Sequence, residues 1–171
     1  MLARSFLAAA LLSAASSAAG AAGDDVQPRR LPDSPPVSSQ AGSALKVIYR
    51  FSGVRDDGYQ GTAGRKLATA LHCSNPSGKA VTMRVRLLGY YGNVYSDQTY
   101  AVQPAWTLSI LTQAITSLSG VQLNTGSIAE GQGVVMASSN ALVCSAMFMD
   151  AINNPPNFAT GLHMERYNPK F

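Results

Sequence analysis

Residues Gly133 to Asp150 read G-V-V-M-A-S-S-N-A-L-V-C-S-A-M-F-M-D, two apolar runs divided by Ser138-Ser139-Asn140. Val, Met and Phe fill the runs and small polar residues fill the break, the pattern of a tight hairpin between two buried strands. The second run carries Cys144. The other cysteine, Cys73, ends the run Leu67-Ala68-Thr69-Ala70-Leu71-His72-Cys73 about 70 positions upstream, so a bond between them would tie an early strand to a late one.

Working outward, Leu45, Val47, Tyr49 and Phe51 fall on one face of an extended segment while Lys46 and Arg50 fall on the other, as in a half-buried strand. Gly53 to Gly64, containing Asp56-Asp57-Gly58 and further glycines, reads as a loop. After the Cys73 strand come a turn at Ser74-Asn75-Pro76-Ser77-Gly78 and a strand from Ala80 to Leu88, in which Val81, Met83, Val85 and Leu87 alternate with Thr82, Arg84 and Arg86. Arginines at every second position belong on the solvent face of an antiparallel sheet. Gly89-Tyr90-Tyr91-Gly92-Asn93 is the next turn, then a strand from Tyr95 to Val102, a break at Pro104, and a strand with Trp106, Leu108 and Ile110 on a common face. Thr116 to Glu130 is less regular, and Glu130-Gly131-Gln132-Gly133 reads as a turn into the central hairpin. Past Asp150, Asn153-Asn154-Pro155-Pro156-Asn157 is a loop and Leu162 to Tyr167 a last short strand, ended by Asn168-Pro169. With no helical period sustained over about ten residues, the chain is expected to be all-β: an antiparallel β-sandwich of about 7–8 strands, immunoglobulin-like or jelly-roll-like, with one disulfide.

The first 22 residues read as a secretory signal. Arg4 supplies the positive start, Phe6 to Leu12 the apolar stretch, and Ala19-Gly20-Ala21 the small-x-small cleavage pattern, with cleavage near Ala21-Ala22. The apolar stretch is too short to span a bilayer, which takes about 20 residues, so no stable membrane insertion is expected. Residues 23–44, beginning G-D-D-V-Q-P-R-R-L-P-D-S-P-P, hold little that could be buried and read as a disordered Pro/Ser-rich leader. Residues 45–171 are then one domain, long enough for its own core. The 13 basic residues less Arg4 leave 12 against 9 acids, a small excess. Arg29-Arg30, Arg65-Lys66, Arg84 and Arg86 are scattered, which does not make the basic stripe of a nucleic-acid binder. An exported protein meets oxidising conditions, so Cys73 and Cys144 are expected to be bridged, as a staple and without the C-x-x-C of a redox site.

The spaced set Ile48-Tyr49-Arg50-Phe51-Ser52-Gly53-Val54, Leu71-His72-Cys73-Ser74-Asn75, Leu123-Asn124-Thr125-Gly126, Val143-Cys144-Ser145-Ala146-Met147 with Asp150-Ala151, and Leu162-His163-Met164-Glu165-Arg166-Tyr167-Asn168-Pro169 resembles an uncharacterised family of small exported bacterial β-sandwich proteins. The resemblance covers nearly the whole domain and implies export and a single domain, with no activity attached. A weaker likeness, in strand order and in the Asn-bearing turn after the first cysteine strand, is to the sensory rhodopsin transducer family, from which the signal peptide and the cysteines depart.

Nucleophilic hydrolysis needs a base, and the histidines are His72 and His163, without a G-x-S-x-G. Asp56, Asp57, Asp97, Glu130, Asp150 and Glu165 include no pair that sequence places in one cleft, so a hydrolase of cell-envelope carbohydrate is a remote alternative. Met147, Met149 and His163, with Met164, His72 and Met83 behind them, are soft ligand types that suit copper, which makes a periplasmic copper-binding protein the sharper alternative. The competing reading is that these methionines fill gaps in a core. Asp56-Asp57-Gly58 reads as a turn, without the ligand spacing of a calcium loop. Tyr59, Tyr90, Tyr91 and Tyr95, with Tyr100 nearby, offer rigid amphipathic contact area for a protein or glycan partner or for another copy of the chain. The expectation is therefore a periplasmic or secreted binding or structural module that is not an enzyme and carries no cofactor.

Overall fold

The computed structural model describes residues 44–58 and 67–170. The expected signal peptide, all but the last residue of the leader, and Tyr59 lie outside the described residues. The described residues form ten strands and no helix: β1 (Lys46–Asp57), β2 (Leu67–Ser74), β3 (Val81–Gly89), β4 (Val94–Val102), β5 (Thr107–Leu111), β6 (Val121–Gln122), β7 (Ser127–Ala137), β8 (Val143–Asp150), β9 (Ala159–Gly161) and β10 (Met164–Arg166). They form two five-stranded sheets, β10-β1-β7-β3-β4 and β6-β5-β2-β8-β9, antiparallel except for the β5–β6 pair. This is the expected all-β sandwich with one disulfide, built from more strands than the sequence signals.

The main core lies between the sheets. Tyr49, Phe51, Met83, Val85, Leu87, Tyr100 and Val135 from the first sheet meet Leu71, Cys73, Leu108, Ile110 and Ala146 from the second. β3 buries every second residue from Val81 and leaves Arg84 and Arg86 on the outer face, as the alternation predicts. The second sheet also has an apolar outer half, where Ala68, Ala70, Leu111 and Met149 are covered by Ile115, Leu118 and Ala151.

The structure corrects the reading of the central stretch. Gly133–Ala137 and Val143–Asp150 belong to different sheets, so Ser138 to Leu142 is a crossing and not a hairpin. Ser138 extends the β3 ladder, its N–H donating to Thr82 O at 2.9 Å, before the chain leaves the sheet. Leu142 is then fully buried, and its carbonyl accepts from the Tyr49 hydroxyl at 3.2 Å. Both runs are apolar because each lines one wall of the same core, a composition that a hairpin and a sheet-to-sheet crossing share.

The expected Glu130–Gly133 turn lies inside β7. Gly131 and Gly133 face inward at close approaches: a Cβ on Gly131 would stand 2.6 Å from Leu88 O, and one on Gly133 would overlap the Phe51 ring. Gly53 likewise opens no loop, because β1 continues to Asp57 through bulges on either side of Val54. Its positive φ of 83° and these bulges bend the strand toward the second sheet. There the Thr69 hydroxyl accepts from Arg55 N at 2.9 Å and donates to Arg55 O at 2.8 Å. The last expected strand, Leu162 to Tyr167, is shortened to β10 on β1, and an unexpected β9 just before it pairs with β8, with a second crossing between them at Leu162–His163. Trp106 precedes β5 and is half exposed, so it does not share the buried face of Leu108 and Ile110.

Cys73 and Cys144 are bonded, and they are register partners on β2 and β8 with Cα atoms 4.2 Å apart. That spacing is that of a non-hydrogen-bonded antiparallel pair. The bridge therefore staples neighbours within one sheet, whereas an immunoglobulin bridge crosses between sheets.

The bridge spans 71 positions, and replacing both cysteines by alanine is expected to lower unfolding free energy by about 4 kcal/mol, read as the shift in urea midpoint. An unchanged midpoint would contradict that contribution. Gly133→Ala forces the Phe51 ring aside and is expected to cost roughly 1–3 kcal/mol, with partial recovery in Gly133→Ala/Phe51→Leu. Strict additivity of the two single variants in thermal melts would contradict the contact.

Candidate functional site

The most exposed aromatic residues cluster where β3 turns into β4. The turn is closed by Gly89 N donating to Asn93 O and Gly92 N donating to Gly89 O, each at 2.9 Å, with Gly92 left-handed at φ 81°. The Tyr95 ring lies over Gly89, where a Cβ would stand 2.5 Å from its Cε2, which leaves Tyr95 partly covered. Tyr90 and Tyr91 project beyond the sheet at 71% and 92% exposure, packed edge to face with ring centroids 5.0 Å apart. Val94 adds an exposed apolar side chain beside them. Three of the four expected contact tyrosines are thus brought together.

β4 then runs from this tip along one edge of the first sheet. On its outer face Asp97 accepts from both flanking arginines: Arg84 Nε at 2.6 Å and Nη2 at 2.7 Å, Arg86 Nε at 2.9 Å and Nη2 at 2.6 Å. The hydrogen bond from Arg84 holds the Asp97 carboxyl below the ordinary carboxylate range. Tyr100, on the inner side, is pushed up to about 12 by burial. Past the end of β4, Trp106 is exposed at 50% and its backbone is held by Asn75, whose N–H donates to Trp106 O at 2.8 Å. Asn75 itself is buried, with Nδ2 donating to Lys79 O and Val102 O and Oδ1 accepting from Ser77. Trp106 was not among the sequence candidates as a contact residue, although the Pro104 break already marks it as following a strand end.

The copper candidates are differently placed. Met147 and Met149 share the outer face of the second sheet, as their spacing implies, and both pack with the small apolar cluster under Ile115 and Leu118. His163 is exposed at the crossing between β9 and β10, and Met164 packs against the main core. Among the described residues no group of three or more His, Cys, Asp or Glu is arranged to hold a metal ion.

His72 lies on the outer face of β2 with Nδ1 2.8 Å from Ser109 Oγ, and burial pushes its pKa down, keeping it neutral near pH 7. Three carboxylates already have structural partners. Asp97 binds the arginines; buried Asp56 accepts from Gly58 N at 2.7 Å and from the Thr125 hydroxyl at 2.6 Å. Asp150 accepts from Ile152 N at 3.0 Å, Asn153 Nδ2 at 2.6 Å and Asn157 N at 3.1 Å, which organises the loop after β8. Those bonds, led by the one from Asn153, hold Asp150 far below the usual range, while burial pushes Asp56 up.

No family model matches the chain, and no curated protein matches it. Among solved structures, the crystal structure of Thermotoga maritima 1070 aligns over 71% of this chain and 97% of its own, with 12% identity and a TM-score of 0.47.

The two buried carboxylates give opposite pH signatures. Asp150, depressed on folding, contributes stability that is complete above the ordinary value of 3.8 and is lost as the pH falls through its folded value. Asp56, raised on folding, contributes stability that is complete below 3.8 and is lost as the pH rises through its folded value. Urea midpoints measured from pH 2 to 8 are expected to show a flattened acid limb in Asp150→Asn and a flattened decline above about pH 4 in Asp56→Asn. An acid limb unchanged in Asp150→Asn would contradict the first assignment.

Proposed function

We propose that the protein is an exported, non-enzymatic binding or structural module that meets a protein or glycan of the cell envelope through the tyrosine tip of the β3–β4 hairpin. The observation that carries this reading is the joint exposure of Tyr90, Tyr91 and Val94 on a turn whose backbone is fixed. Tyrosine faces give large contact area at small entropic cost, and their hydroxyls satisfy polar groups of a sugar or peptide. Export is supported by the N-terminal pattern of charge, apolar stretch and small residues, and by a disulfide, which persists in oxidising compartments. No helix among the described residues is long and apolar enough to cross a membrane. A non-enzymatic role is favoured by Asp56, Asp97 and Asp150 all serving as structural acceptors.

The test is retention by envelope material. Wild type is expected to co-sediment with sacculi and membranes of the producing cell, and Tyr90→Ala/Tyr91→Ala to bind about tenfold more weakly, or about 1.4 kcal/mol. Both side chains are exposed, so the melting temperature should stay put. Equal retention of the two proteins would sink the reading.

A further inference from the structure

An open sheet ends in edges whose backbone N–H and C=O groups face outward, and natural sheets blunt such edges by shortness, charge or proline. Three of the four edge strands here are short: β6 has two residues, β9 three and β10 three. The fourth, β4, has nine residues, contains no Pro or Lys, is irregular only beside Tyr95 near its start, and among the described residues pairs only with β3. Its one charged residue, Asp97, is gripped by Arg84 and Arg86 from the strand behind it and so does not guard the edge.

The sequence of β4 is also suited to pairing with itself. If a second copy lies antiparallel with Gln98 on the two-fold axis, Ser96 faces Tyr100 and Asp97 faces Thr99 along the regular part of the strand, which ends at the irregularity beside Tyr95. No like charges then stand directly opposite one another. The aromatic residues follow the same symmetry. Tyr90 and Tyr91 precede β4 and Trp106 follows it, so antiparallel pairing carries the tip of each copy to the Trp106 end of the other. Exposed aromatic groups that are separated along one chain are thereby brought together twice.

We propose that the partner seated on this edge is a second copy of the chain, forming an isologous dimer in which two five-stranded sheets join through β4. The inference rests on the hairpin tip being a contact surface and names what contacts it. Gln98 is exposed in the single chain, so either charge is accommodated there. Across the axis, however, Gln98→Lys places two ammonium groups face to face, and Gln98→Glu two carboxylates.

Light scattering and native mass spectrometry of the protein, purified as the cell processes it, are expected to show a wild-type dimer. Gln98→Lys alone and Gln98→Glu alone should each dissociate at least about tenfold more readily, and an equimolar mixture should restore a dimer holding one of each. A wild type that stays monomeric up to about 100 μM overturns the proposal, as does undiminished dimerisation of either charged variant or a mixture that fails to pair. A monomeric wild type would leave the tyrosine surface standing or falling on envelope retention alone.

Discussion

The Phe51 ring lies where the side chain of residue 133 would otherwise be, and only a glycine at that position leaves room for it. Phe51 and Leu87 are the register partners of Gly133 on either side, so this one contact fixes β1, β7 and β3 relative to one another at the centre of the first sheet. A slip of β7 by one residue would put Val134 beneath the ring and turn the inward side chains of β7 outward. Val135 and Ala137 would leave the core and lose their places opposite Tyr49 and Met83. The alternation of buried and exposed residues along β3, and with it the outward direction of Arg84 and Arg86, is downstream of that register.

With the first sheet in register, the second is held to it at several corners. Thr69 exchanges hydrogen bonds with Arg55 where β1 bends over, and its N–H donates to the Thr112 hydroxyl at 3.0 Å, linking both sheets to the segment after β5. Asp56 reaches Thr125 at the same end. At the opposite end Asn75 binds the start of β3, the end of β4 and the entry to β5. The disulfide does a different job. It joins β2 to β8, which are distant in sequence and adjacent in space, and so limits how far the unfolded chain can separate the two halves of the second sheet.

The sequence made the class of fold readable because period-two alternation, turn residues and the absence of a helical period all agreed. It made the cysteine pairing readable because there were only two cysteines, in a chain whose first residues read as an export signal. What it did not reveal was which sheet each strand joined. Ser138-Ser139-Asn140 has hairpin composition, yet Leu142 is drawn between the sheets and sends Val143 into the other one. Gly131 and Gly133 looked like turn residues because local sequence cannot distinguish a glycine that bends the chain from one that makes space for a neighbour's side chain. At the candidate site, the tyrosine tip was legible from its turn signal. The role of Trp106 was not, because its exposure follows from tertiary anchoring by Asn75.

The distribution of surfaces argues where a partner can act. Half of the outer face of the second sheet is closed by its own Ile115, Leu118 and Ala151, and Met147 and Met149 pack with that cover. The outer face of the first sheet carries the Arg84, Arg86 and Asp97 cluster, whose groups are largely engaged with one another. Three edges are too short to offer much ladder. The exposed tyrosines therefore adjoin the one long strand that, among the described residues, has a partner on a single side, and backbone pairing and aromatic contact can act together along it. A ladder of main-chain hydrogen bonds supplies affinity with little sequence information, while the flanking side chains decide which strand is accepted. On β4 those flanking groups are Tyr90, Tyr91 and Val94 at one end and Trp106 at the other, and a strand entering antiparallel must satisfy both ends at once.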